Sequence, residues 1–166
     1  MIALFDVDYK EDKAHAAAVI IENWQSEEPF RIYTKIIDNI EAYQPGEFYK
    51  RELPCLVSLI SLFEEEISVL VVDSYVWVKS KKGLGAYVYD HFQGKYPVIG
   101  VAKSRFADND ENCVELLRGE SNNPLYISAI GTDLIETKEH ISEMSGEFRM
   151  PAMLKLVDRL SKEWDR

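Results

Sequence analysis

Residues 2–9 (IALFDVDY) and 14–24 (AHAAAVIIENW) are apolar-rich stretches separated by KEDK, the pattern of two strands joined by a tight hairpin. Residues 30–37 make a third strand, so the chain opens on an antiparallel meander. From Phe48 to Phe63 apolar positions return at helical spacing. The unbroken run ISVLVV (67–72) then reads as a strand buried on both faces, and it ends in Asp73. A polar, lysine-rich loop follows, then a helix over 84–93 and a short buried strand, VIGVAKS, headed by Pro97. Residues 107–123 are acidic and Asn-rich and read as loop. PLYISAIG (124–131) supplies one more strand, and helices follow over 133–144 and 151–164, the second opened by Pro151 in its first turn.

A meander followed by alternating helix and strand predicts an α/β domain with a mixed sheet and helices on both faces. The ribonuclease H-like fold has this order, as do other mixed folds. A length of 166 residues with 46% hydrophobic positions fits a single domain over residues 1–166. No stretch reaches the ~18 to 20 apolar residues of a membrane span. The opening MIALFDVD lacks the basic start of a signal peptide, so the expectation is a cytoplasmic protein with no membrane partner. Cys55 and Cys113 then read as reduced thiols, and no Cys/His cluster argues for zinc.

The net charge of −10 argues against a nucleic-acid partner until its distribution is read. Between Lys79 and Arg105 six basic residues face only Asp90, so this window carries +5 and the rest of the chain −15. That predicts a local basic surface, or else a solvated lysine face that binds nothing.

The acids carry the chemistry. Asp6 interrupts the apolar run LFDV inside the first strand, an expensive place for a charge without a partner. Asp8 shares its face. Asp73 ends the buried strand, Glu52 lies four residues before Leu56 on the apolar stripe of its helix, and Asp158 borders the stripe of the last helix. Each has an ordinary alternative: Asp73 as a turn cap, Asp158 as a partner of Lys155 or Lys162, Glu52 as a first-turn acid favoured by the helix dipole. Pro54 supports the last of these, because a helix starting near Leu53 would leave Glu52 just outside it. Together, acids from separate core elements can converge only around a cation, and oxygen ligands without His or Cys point to Mg²⁺ or Mn²⁺. Such a cluster beside a basic segment suits metal-assisted phosphodiester hydrolysis.

Over nearly its whole length the chain resembles the endonuclease V family, repair nucleases that nick nucleic acid near deaminated bases, chiefly inosine. IALFDVDY is similar to the family's opening strand, which places its metal-binding aspartate at Asp6. YQPGEFYKRELP resembles the Tyr-x-Pro-Gly wedge followed by Arg-Glu-x-Pro, with the wedge at Tyr43, Pro45 and Gly46 and the second acid at Glu52. LVVD places the third acid at Asp73, PVIGVAKSRF the family lysine at Lys103, and FRMPAMLKLVDRLSK puts Asp158 where the family holds Asp or His. The resemblance implies Asp6, Glu52, Asp73 and Asp158 around the metal, Lys103 on the phosphate, and DNA or RNA with deaminated bases as substrate of a monomeric enzyme. The chain departs from the pattern after Asp73. Lys79-Ser80-Lys81 stands where the family has His-Pro-Arg, Ser74 replaces a glycine, Ala42 a proline, and SAIGTD the usual Ser-Pro-Gly. Lys79, Lys81 and Lys82 are then expected to hold the nucleic-acid backbone in place of His-Pro-Arg. The alternative implied by the same departures is a nucleic-acid-binding or regulatory protein on this scaffold with lost or altered cleavage.

Overall fold

In the computed structural model, which describes residues 1–165, the meander forms as expected from β1 (Ile2–Lys10), β2 (Lys13–Ile21) and β3 (Arg31–Ile37). Helix α1 (Phe48–Ile60) leads to β4 (Val69–Val72), then to the two-residue strands β5 (Trp77–Val78) and β6 (Lys81–Lys82) and helix α2 (Leu84–His91). The chain continues through β7 (Val98–Ala102), β8 (Val114–Leu116), β9 (Leu125–Ile130), α3 (Leu134–Glu143) and α4 (Ala152–Ser161). Seven strands make one mixed sheet in the order β3-β2-β1-β4-β7-β9-β8, and β5 pairs with β6 in a separate ribbon. The pairs β1–β4 and β4–β7 are parallel, and the rest of the main sheet is antiparallel.

Alternation along the strands divides the core. Ala3, Phe5, Ala16, Ala18 and Val72 face α1 and α2, whereas Leu4, Val19, Val71 and Ile99 face α3 and α4. The sheet is therefore covered by helices on both faces, which is why β4 and β7 are apolar without interruption. Among the described residues, no helix is long and apolar enough to cross a membrane.

Several boundaries differ from the sequence reading. The second strand stops at Ile21 rather than 24, because Asn23 turns the chain: its Oδ1 accepts from Gln25 N at 3.0 Å. Pro54 lies inside α1, which begins at Phe48, so Glu52 is a buried helical residue and not one outside the helix. Pro151 is the N-cap of α4 rather than a first-turn residue, and Trp164 lies beyond the helix end. The lysine-rich loop folds back on itself as β5–β6, with Lys79 in the left-handed region at φ 55°. Within the segment read as loop, β8 adds an edge strand to β9.

Candidate metal centre and nucleic-acid surface

The parallel register of β1 and β4 pairs Phe5 with Val72, so the next residues, Asp6 and Asp73, stand level on adjacent strands. Both project to the α4 side, where Asp158 comes down from the helix. Ligand oxygens of Asp6, Asp73 and Asp158 lie within 4.8 Å of one another, close enough for one ion to touch all three. This is the only such group of three or more potential metal ligands among the described residues, and no histidine contributes to it.

Glu52 approaches from the other face of the sheet, on α1. Its oxygens stand outside the group of three, yet it is 4% exposed and its Oε2 has no hydrogen-bond partner. Burial, then the charges of Asp6 and Asp73, push its carboxyl well above the usual range. Asp6 is also pushed up, to about 6, chiefly by burial and then by Asp73 and Asp158, against the lowering bond from Ser161. Four acids thus face one small region with more negative charge than it can hold unaided. Hard oxygen donors, an orphaned buried carboxylate oxygen and mutually repelling neighbours are what a divalent cation satisfies, so the donor set fits the expected metal.

Lys103 also offsets part of that charge. It follows β7, and its Nζ donates to Asp73 Oδ2 at 2.8 Å and to Asp158 Oδ1 at 2.9 Å. Burial opposes the charge on Lys103, but the two carboxylates outweigh it and hold the ammonium above its ordinary pKa. Asp158, despite burial, is held below its usual value by Lys162 and Lys103.

Of three supporting residues, Ser161 and Arg149 went unassigned in the sequence reading, whereas Lys162 had been named as a possible partner of Asp158. Ser161 is fully buried, and its hydroxyl donates to Asp6 Oδ2 at 2.5 Å. A serine on the apolar stripe of α4, three residues after Asp158, was the available signal. Lys162 Nζ pairs with Asp158 Oδ2 at 2.8 Å. Arg149 donates to the main-chain oxygen of Lys103 and to Pro124 O, which fixes the backbone under Lys103. Asp8 lies on the same face but serves Trp164, whose Nε1 donates to its Oδ2 at 2.7 Å.

Tyr43 immediately precedes the turn formed by residues 44–47. Glu47 N donates to Gln44 O at 3.0 Å, with Pro45 second and Gly46 third at φ 80°, the requirements of a type II turn. Tyr43 itself is 57% exposed. Beside the turn, a cavity of about 510 Å³ opens towards the β5–β6 ribbon, lined by Gly46, Phe48, Ser74, Lys81, Leu84 and Phe106 among others.

The expected basic surface is largely neutralised. Lys79 lies 3.5 Å from Asp108, Lys82 is paired with Asp90, Lys103 with Asp73 and Asp158, and Arg105 with Asp110 at 2.7 Å. Lys81 and Lys95 are the cations of that segment without an ion pair among the described residues. Asp108 and Asp110 of the 107–123 segment supply part of the compensation, and Asn109, almost fully buried, ties that segment to the ribbon by accepting from Lys79 N at 2.6 Å.

The family model for endonuclease V matches residues 1–159. Endonuclease V of Pyrococcus horikoshii is 29% identical over 164 residues, covering 97% of this chain and 72% of that protein. The corresponding protein of Ignicoccus hospitalis is 26% identical over 175 residues, covering 97% and 81%. Among solved structures, Ciona intestinalis endonuclease V in complex with a 24mer DNA containing an inosine superposes with a TM-score of 0.79 at 16% identity, over 98% of this chain and 84% of that one. At that identity the superposition speaks for the fold.

Proposed function

The chain belongs to the endonuclease V family, and from that premise we propose that it is a metal-dependent endonuclease that nicks DNA or RNA near deaminated, inosine-type bases. The observation that carries this reading is the convergence of Asp6, Asp73 and Asp158, backed by the buried, unpartnered Glu52. A binding protein without turnover would gain nothing from this concentration of repelling acids, which is costly unless a cation is bound.

Asp6, Asp73 and Asp158 would hold a magnesium or manganese ion, with Glu52 behind them. When bound, such an ion polarises the scissile phosphate, lowers the pKa of a water nucleophile and steadies the leaving oxygen. The protein's own residues do the rest. Ser161 fixes the rotamer of Asp6, Lys103 brings a positive charge to the phosphate, and Arg149 holds the backbone from which Lys103 projects. Tyr43, rigid on its Pro-Gly turn, fills the gap left by an extruded base, and the adjoining cavity has room to receive that base. Lys81 offers the ribbon's unpaired cation to the backbone, beside Lys79 and Lys82. The same reading takes residues 1–166 as one nuclease domain that works as a monomer in the cytoplasm.

The test is cleavage of labelled inosine-containing DNA and RNA with Mg²⁺, Mn²⁺ or chelator, alongside matched strands without inosine. Cleavage should require metal and inosine, and Asp6→Asn should abolish it while leaving strand binding largely intact. Binding without cleavage by the wild-type protein under every metal condition would replace this reading with that of a regulatory nucleic-acid-binding protein.

A further inference from the structure

We infer that the groove along the outer side of α4 is a track for the nucleic-acid strand on the side of the cut opposite the Tyr43 turn. This rests on the endonuclease reading above. The groove encloses about 750 Å³, and its lining includes Phe148, Met150, Met153, Leu156 and Asp158. Met150 and Asp158 also line the cleft that holds Asp6, Asp73 and Lys103. The groove is therefore continuous with the cluster. A strand whose phosphate sits at the cluster has the Tyr43 turn on the α1 side of the sheet and this groove on the α4 side.

The chemistry of the groove suits a strand. Lys155 and Arg159 of α4 and Lys162 at its C-cap fall at i, i+4 and i+7, so one face places a cation along the groove at each turn, Lys162 being paired with Asp158. Phe148 is 66% exposed, and Lys155 Nζ lies 5.6 Å from its ring centroid. An exposed ring with an ammonium beside it offers a base a stacking surface and a phosphate a countercharge, the two elements of sequence-tolerant single-strand binding. Acids also line the groove: Glu147, Asp158 and Glu163, the last paired with Arg159 at 3.5 Å. The cations interrupt the apolar surface too often for the groove to resemble a permanent interface with a second copy.

The test measures binding by fluorescence anisotropy, in chelator, to inosine-containing single strands that are full length or truncated on one side of the cut or the other. Phe148→Ala/Lys155→Ala should weaken binding of the full-length strand roughly fivefold to tenfold. It should weaken binding equally for the strand truncated on the turn side, and leave the strand truncated on the groove side as the wild type binds it. Lys155→Glu alone, an exposed change that spares the aromatic, should give the same pattern if the double variant folds poorly. Equal loss on both truncated strands would overturn the inference by showing a diffuse charge effect, and no loss on any would overturn it outright. A concentration-dependent dimer abolished by the same variant would give the groove to a second copy instead. Failure of the wild-type protein to bind any strand would refute the proposed function, and the groove inference with it.

Discussion

Lys103 bonds the carboxylates of Asp73 and Asp158, two of the three acids proposed to hold a divalent cation. The lysine ammonium bridges Asp73 and Asp158 at 2.8 and 2.9 Å and so offsets part of the repulsion in the cluster. If Asp73 and Asp158 held a divalent cation, Lys103 would give up at least one of these bonds and its ammonium would be available to a phosphate. Lys103→Met, which keeps the stem and removes the charge, should therefore bind Mn²⁺ or Mg²⁺ more tightly in the absence of nucleic acid, by on the order of tenfold, while cleavage falls. Metal titration followed by calorimetry, or by the rise in melting temperature, reads the first effect independently of activity. Weaker metal binding in this variant would mean that Lys103 organises the carboxylates rather than competing for them. Asp6 has a different role. It is held up to about 6 by burial and by its acidic neighbours, against the bond that Ser161 Oγ donates to its Oδ2.

Between elements, the site depends on close approach at Gly100, in the middle of β7. A Cβ there would stand 2.3 Å from the main-chain oxygen of Ser74 and 2.5 Å from Ser128 Oγ, which itself accepts from Val76 N at 3.0 Å. The bare strand lets residues 74–76 cross immediately after Asp73. Gly100→Ala must push that backbone away, and Asp73 with it. The expected cost is about 1 to 3 kcal/mol, or roughly 2 to 4 °C in melting temperature per kcal/mol for a chain of this size, together with a smaller stabilisation by added metal. A Gly100→Ala protein that melts and responds to metal as the wild type does would show that the crossing segment is not held there. The sequence made much of this framework legible and missed the rest for physical reasons. Long apolar runs such as ISVLVV and VIGVA announce buried strands, because nothing else on a soluble surface tolerates them. β5, β6 and β8 are two or three residues long, too short for periodicity, and exist because tertiary neighbours such as Asn109 hold them. The place of Glu52 on the stripe of its helix was legible, and the alternative that left it just outside arose because a proline usually marks a helix start, whereas α1 carries Pro54 in its interior.

Across the whole molecule, charge was the least legible property, since the +5 of one window said nothing of where its counterions lie. The acids of 107–110 and Asp90 fold back onto those lysines, which leaves the net charge of −10 opposing nucleic acid over most of the surface. Binding must then come from a few contacts around the cluster rather than from a broad basic face, and Tyr43 becomes decisive. It immediately precedes a type II turn, is more than half exposed, and lies three residues before Gly46, which lines the cavity of about 510 Å³. Extruding a paired base costs a few kcal/mol, least where the base is already unpaired, and an inserted ring recovers part of that cost by stacking, about 1 to 3 kcal/mol. Tyr43→Ala should therefore lose roughly tenfold or more of its cleavage rate on duplex substrate and far less on a single strand carrying the same base. A folding defect would lower both rates together, so the ratio between substrates isolates the wedge. Equal loss on both, at an unaltered melting temperature, would remove Tyr43 from base extrusion and leave a nuclease that cuts without opening the duplex.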